Sequence, residues 1–275
     1  MPPKHDRILV RLDREEAFDA QLHSGRGDER KLLDEVFDER TLKALHKLMN
    51  EGLFQILDFP IATGKEASVF VAVGKKGEEC AVKIYRVANA TFNSIRRYIQ
   101  DDPRFRLVGH DKRSVIYTWA MKEFKNLTRM HRAGASVPRP VRFYENILVM
   151  DYLHVGENHD PAPPLKVAKG YDAEAVFEHL KKDVRTIVAK ARLVHGDVSE
   201  YNVLMVEETP YIIDASQGVV LDHKASREYL MRDATNLSKF FARKGVEADA
   251  KELYEFWTDG VDFETKPRGR GGEEE

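Results

Sequence analysis

The segment VHGDVSEYNVLMVEETPYIIDASQ, residues 194–217, constrains this chain more than any other stretch. Its two apolar runs, VLMV and YII, flank a polar turn and predict a short hairpin, with strands near Val203–Val206 and Tyr211–Ile213. Asp197 and Asn202 lie five residues apart in the loop before the hairpin, and Asp214 follows twelve residues later at the end of the strand IID. A phosphotransferase presents its groups in this way. One acid takes a hydroxyl proton, while an amide oxygen and a second carboxylate serve the hard magnesium ion on the nucleotide phosphates. The bland alternative is polar residues capping a turn, and the strand that ends in an acid argues against it.

The rest of the chain supplies a frame for that segment. Residues 1–27 show little periodicity and read as a loosely ordered lead-in. From Asp28 to Asn50 apolar residues recur at helical spacing through Leu32, Val36, Leu45 and Leu48. LFQILDFPIATGKEASVFVAVGKKGEECAVKIYRV predicts three strands broken by turns at Thr63-Gly64 and Gly74–Gly77. A helix is expected over Ser114–Arg132, ended by Gly134, then strands over Val141–Tyr144 and Ile147–Tyr152. His154–Tyr171, with three prolines, reads as a loop. After it, helices are expected over 172–191, 226–243 and 247–257. Composition changes from strand-rich to helix-rich near Leu153, which divides the chain into an extension (1–52), a first lobe with its hinge (53–153), a helical lobe (154–264) and a disordered tail (265–275). Trp119, Met130 and Phe240 are expected in the core.

Lys83 stands in CAVKIY, sharing a strand face with Ala81 while Val82 and Ile84 point the other way. This resembles the strand on which protein kinases carry the lysine that contacts the α- and β-phosphates, and Glu123, forty residues on in MKEFKNL, is placed to hold it. The Asp197 loop resembles the kinase catalytic loop in spacing, with His195-Gly196-Asp197 in place of His-Arg-Asp. His195 has no second histidine at ligand spacing and is expected to be structural. ATGKEASVF offers one glycine where protein kinases have three. A Walker A loop is excluded, because Phe59 and Glu66 occupy positions that need glycine and Ser or Thr. What remains is a strand-turn-strand over the triphosphate, Gly64, Lys65, Glu66, Ala67, Ser68 and Val69, with main-chain amides and the Ser68 hydroxyl as expected donors.

Taken in order, ATGKEASVF, AVKIYR, SIRRYIQDDPRF, KEFKNL, VPRPVRF, LVMDYL, HGDVSEYN and IIDASQ resemble the RIO family of atypical serine protein kinases, and its type 1 subfamily in particular, over about residues 53–220. The resemblance implies an α+β fold of two lobes, a small antiparallel-sheet lobe and a reduced helical lobe. It implies ATP and Mg2+, with Asp197 as proton acceptor, Lys83 as phosphate anchor, Glu123 as its partner, and Asn202 and Asp214 as metal ligands. Met150 takes the gatekeeper place, and the main chain of Asp151 and Leu153 is expected to meet adenine. After Asp214, AlaSerGln replaces PheGly and no Ala-Pro-Glu segment follows, which places recognition of a free peptide in question. The family's link to small ribosomal subunit maturation, and the capacity of its metal-binding Asp to accept phosphate, imply two further readings. One is a protein kinase. The other is an ATP-gated assembly factor in which hydrolysis, with Asp214 as aspartyl phosphate, times release.

Small-molecule kinases such as the aminoglycoside and choline phosphotransferases share the HGD loop and are the third alternative; TGKEASVF and SIRRYIQDDPRF argue against them. Lys and Arg number 44 against 46 Asp and Glu, so bulk charge does not draw the chain to nucleic acid or anionic membrane. Only the segment 83–113, with eight Lys or Arg against three Asp, makes a local basic patch, and Arg96, Arg97, Arg104, Arg106, Lys112 and Arg113 are expected either to contact ribosomal RNA phosphates or to close over the nucleotide, with solvated charge as the bland alternative. One cysteine, Cys80, excludes a disulfide framework and is expected in the core. No run of the sequence is apolar enough to span a membrane, and a cytoplasmic location is expected.

Overall fold

The computed structural model describes residues 10–11, 36–87, 95–96, 98–99, 102–105 and 111–264. Residues 28–35 of the expected helical preface, Arg97, Arg106 and the expected tail lie outside them. The strand signals yield β2 (Ile56–Thr63), β3 (Ala67–Val73), β4 (Glu79–Tyr85), β5 (Pro140–Tyr144) and β6 (Ile147–Asp151). With a short β1 (Val10–Arg11) they form one antiparallel sheet in the order β1-β2-β3-β4-β6-β5. β4 is buried from Ala81 to Tyr85 because both of its faces are covered, and this gives a near-continuous apolar run in place of alternation.

One face is covered by α1 (Glu39–Asn50), which starts where the Asp38 carboxylate accepts the Thr41 N–H at 2.8 Å. Its Leu45 and Leu48 are fully buried beside Phe54, Leu57, Val82 and Ile84, each worth about 1.5–3 kcal/mol against exposure. Cys80 packs at the margin of this cluster, and burial pushes its thiol up to about 12. The other face meets α2 (Lys112–Ala133), which opens at Asp111 and closes at Gly134, whose φ of 91° suits only glycine without strain.

Beyond β6 the chain turns helical. α3 (Ala173–Ala189), α4 (Ser226–Ala242) and α5 (Ala250–Thr258) surround Phe177, Leu180, Ile187, Leu237, Phe241 and Trp257. The Trp257 indole N–H donates to the Lys181 carbonyl at 2.9 Å, so this large side chain is buried without an orphaned donor. The expected hairpin is β10 (Val203–Val206) with β11 (Thr209–Ile212), and β9 (Leu193–Val194) pairs with β12 (Val219–Val220). Trp119, Met130 and Phe240 are buried.

Two features depart from expectation. Val10–Arg11 pairs with β2 inside the supposed lead-in, and the supposed loop 154–171 contains a ladder of β7 (His154–Val155) with β8 (Asp160–Pro161). Strands of two residues are too short to show alternation in a sequence, and Pro161 argues against one. The architecture is a two-lobed, kinase-like α+β fold. Among the described residues no helix is long and apolar enough to cross a membrane.

Candidate active site

A cavity of about 430 Å³ opens between the sheet and the helical half. Lys83 reaches it from the middle of β4, and its ammonium lies 2.9 and 3.0 Å from the two carboxylate oxygens of Glu123 on α2 and 3.1 Å from Asp214. Burial alone would lower the Lys83 pKa, but the carboxylates of Asp214 and Glu123 outweigh it and hold it above the ordinary lysine value. Two carboxylates share one ammonium, so one remains undercompensated. Burial pushes Glu123 up to about 7 despite Lys83, whereas at Asp214 the Lys83 charge and the Ser216 hydroxyl, 2.6 Å away, overcome burial and hold the carboxyl at about 2.

Asp214 follows β11 with φ 60° and ψ 63°, a left-handed conformation that Asp tolerates better than most residues. The turn that follows is held from α2. Lys122 donates to the carbonyls of Ser216, at 2.9 Å, and Gly218; Asn126 donates to those of Ala215 and Gly218, both at 2.8 Å. A Cβ on Gly218 would lie 2.9 Å from the Asn126 amide nitrogen, so a side chain there would displace this contact. Burial drives the Lys122 ammonium down to about 7.

The loop carrying Asp197 is fixed from three directions. Asp233 of α4 accepts the N–H groups of Gly196 at 2.8 Å and Val198 at 2.9 Å, and the neighbouring Arg232 donates to the Gly196 carbonyl. The Asp197 N–H donates to His195 Nδ1 at 3.3 Å, so the ring proton sits on Nε2, which donates to the Ile213 carbonyl at 3.1 Å. Burial lowers the His195 pKa to about 4 and keeps the ring neutral. Asp197 Oδ2 accepts from Asn202 at 2.9 Å and Gln217 at 3.2 Å. Burial, and then the Asp214 charge, raise the Asp197 pKa. Asn202 and Asp214 line the cavity; Asp197 lies one hydrogen bond outside its wall, through Asn202.

Lys83, Glu123, Asn202 and Asp214 therefore converge on the cavity, and so do Gly64, Lys65, Glu66, Ala67, Val69, Met150 and Leu153. Two expectations are corrected. Ser68 is fully buried on the opposite face of β3, where its hydroxyl accepts from Arg86 at 3.1 Å, and it does not reach the cavity. The Gly64 N–H closes its own turn on the Ala67 carbonyl at 2.9 Å. At the hinge the Asp151 N–H donates to the Arg139 carbonyl and the Leu153 carbonyl accepts from Ala162, both at 3.0 Å, which engages one main-chain group of each residue and does not contradict the expected contacts to adenine.

Arg104 is a third correction: it is not a free surface cation. Its guanidinium grips the buried Asp102 at 2.6–3.2 Å and donates to Asn126 at 2.8 Å. Lys122, Asn126, Gln217, Arg232 and Asp233 were not assigned from sequence. Their signal is a polar side chain inside a buried helical stripe: Lys122 and Asn126 lie four apart on either side of Glu123, and Asp233 interrupts Leu230-Ala234-Leu237.

A lysine locked between carboxylates beneath a hairpin, with Asp, Asn and Asp on the facing loops of a two-lobed frame, defines a kinase-like phosphotransferase. The chain matches the RIO domain over residues 68–253 and belongs to the RIO family of serine/threonine-protein kinases. It is 40% identical to the RIO-type serine/threonine-protein kinase Rio1 of Haloferax volcanii, over 92% of this chain and 86% of that one. Identity to Rio1 of Methanocaldococcus jannaschii is also 40%, covering 83% and 77%; to human RIO1 it is 36%, covering 84% of this chain but 41% of the human protein. These relatives support the type 1 subfamily. They are protein kinases, which decides against the small-alcohol alternative. The Rio2 kinase of Chaetomium thermophilum shares the fold, with a TM-score of 0.61 at 23% identity over 81% of this chain and 70% of that one.

Proposed function

We propose that this protein uses ATP and magnesium to phosphorylate serine or threonine hydroxyls, and that it does so in the cytoplasm during small ribosomal subunit maturation. The chemical part is carried by one observation: Lys83 is held between Glu123 and Asp214 at the floor of a cavity whose far wall presents Asn202. Val69, Ala81, Met150 and Ile213 line the apolar end, which suits a flat purine. Lys83, kept charged, anchors phosphate oxygens. Asn202 and Asp214 offer oxygen donors only, a set that fits a hard divalent cation. Bound magnesium would neutralise phosphate charge. Asp197 Oδ2 is held by Asn202 and Gln217, which leaves Oδ1 to take the hydroxyl proton, and its position just outside the cavity suits a substrate arriving from solvent.

A second reading, hydrolysis through an aspartyl phosphate on Asp214, is supported by the Chaetomium thermophilum Rio2 kinase, which was solved as an ADP/Mg2+-phosphoaspartate complex with a TM-score of 0.60 to this chain. The same assay separates the two. γ-Labelled ATP, magnesium and a generic protein acceptor should give stable label on acceptor hydroxyls for a kinase. Free phosphate with hydroxylamine-labile label on the protein itself favours the switch, and absence of both sinks the proposal. The ribosomal part rests on family membership and on Arg96, which is exposed. Salt-sensitive cosedimentation with small-subunit particles, weakened by reversing the charges of Arg96 and Arg97, is its test.

A further inference from the structure

Outside the active site, Glu79, His154 and His159 bring a carboxylate oxygen and two imidazole nitrogens within 4.8 Å of one another. Glu79 is the first residue of β4, whereas the histidines stand on either side of the turn between β7 and β8, so the cluster joins the sheet to the hairpin beyond the hinge. We propose that these three side chains bind a borderline divalent cation of the zinc type.

Three observations converge on this. His159 Nδ1 and Glu79 Oε2 are already 2.7 Å apart. The two imidazoles stack at 4.0 Å between centroids, 21° from parallel, so one ring must turn before both in-plane nitrogens meet one ion. His154 Nδ1 is buried and no protein group among the described residues hydrogen-bonds to it. His159 also holds a left-handed backbone, φ 54°, with its carbonyl fixed by the Tyr152 hydroxyl at 2.9 Å, so the strained residue is the one the cluster depends on.

Two imidazoles and one carboxylate, with a fourth position open to water, are the donors of Zn2+, Co2+ or Ni2+. Tetrahedral binding with bonds of about 2.0–2.1 Å brings ligand atoms to roughly 3.3 Å apart. His159 is the exposed member of the three, so the rearrangement falls on its ring. The oxygen-only pair Asn202 and Asp214 prefers the opposite kind of cation, so the two sites are chemically separable. An ion here would tie β4, which carries Lys83, to the hairpin whose Pro161 and the adjoining Ala162 line the cavity.

The test is a Co2+ titration of the tag-free, chelator-treated full chain in excess Mg2+, read by the visible ligand-field absorption of tetrahedral cobalt and reversed by Zn2+. One Co2+ per chain is expected, with affinity falling by about tenfold or more in each of His154→Ala, His159→Ala and Glu79→Gln. Zn2+ should raise the unfolding temperature of the parent chain and not of the variants. Glu79→Gln adds no volume and carries the test if a histidine variant does not fold. Absence of tetrahedral absorption at millimolar Co2+, or equal binding by parent and variants, overturns the proposal.

Discussion

The turn and the two loops at the phosphate end of the cavity are built in opposite ways. The turn at Thr63–Ala67 is a hairpin corner, held by strand register and by main-chain bonds from the Gly64 N–H to the Ala67 carbonyl and from the Arg86 N–H to the Glu66 carbonyl. The loops from His195 to Asn202 and from Asp214 to Gly218 are gripped by buried side chains from α2 and α4 as well as by each other. On the proposed function, a base and metal ligands on those loops must hold their positions to a fraction of an ångström, and buried, bonded polar groups provide that. A turn proposed to cover a nucleotide needs only to follow its surface.

The sharpest way to break the comparison is at the base. Asp197→Asn is expected to lower kcat by about 10²–10⁴-fold while nucleotide affinity persists. Loss of nucleotide binding instead would give Asp197 a binding role. Next comes Asp233→Ala, which orphans the buried N–H groups of Gly196 and Val198 at about 1–3 kcal/mol each. Denaturant unfolding and single-turnover rates should fall together, and an unchanged rate would mean the loop holds without its α4 anchor. Asn126→Ala should cost about 1–3 kcal/mol by freeing carbonyls after Asp214, with kcat more affected than KM. Gly64→Ala closes the series. A Cβ there meets only the Ala67 carbonyl at 3.4 Å, so stability should move by less than about 0.5 kcal/mol. A large loss would show that the turn is as constrained as the loops.

Titration sharpens the same contrast. His195 is expected to stay neutral from pH 8 down to near 4, followed by the NMR shift of its ring Cε1–H. Its folded value lies below the ordinary 6.5, so its contribution to stability is complete above about pH 6.5 and is lost as pH falls towards 4. A ring that titrates near 6.5 would mean the loop opens to water.

The residues of the site were legible where chemistry fixes spacing. Asp197, Asn202, Asp214, Lys83 and Glu123 all stand out because loop, strand and helix each impose an order on them. The strands and helices were legible for the same reason, since β2–β6 and α1–α5 are long enough to show a period. Side-chain direction at a turn was not: Ser68 and Val69 are neighbours, and only the pleat decides which one faces the cavity. Nor was the anchoring of loops, because Asp233 meets Gly196 across 37 residues and nothing local marks the pair. Arg104 shows the converse, a cation that composition assigns to a surface patch and packing draws inward to Asp102 and Asn126.

Lys122, Glu123 and Asn126 occupy consecutive positions of one helix surface, and they hold the turn after Asp214 and the anchoring lysine at once. α2 is thus a single lever for both halves of the cavity floor. Loosening of α2 against the Ala215–Gly218 turn would therefore disturb the lysine and the Asp214 carboxylate together.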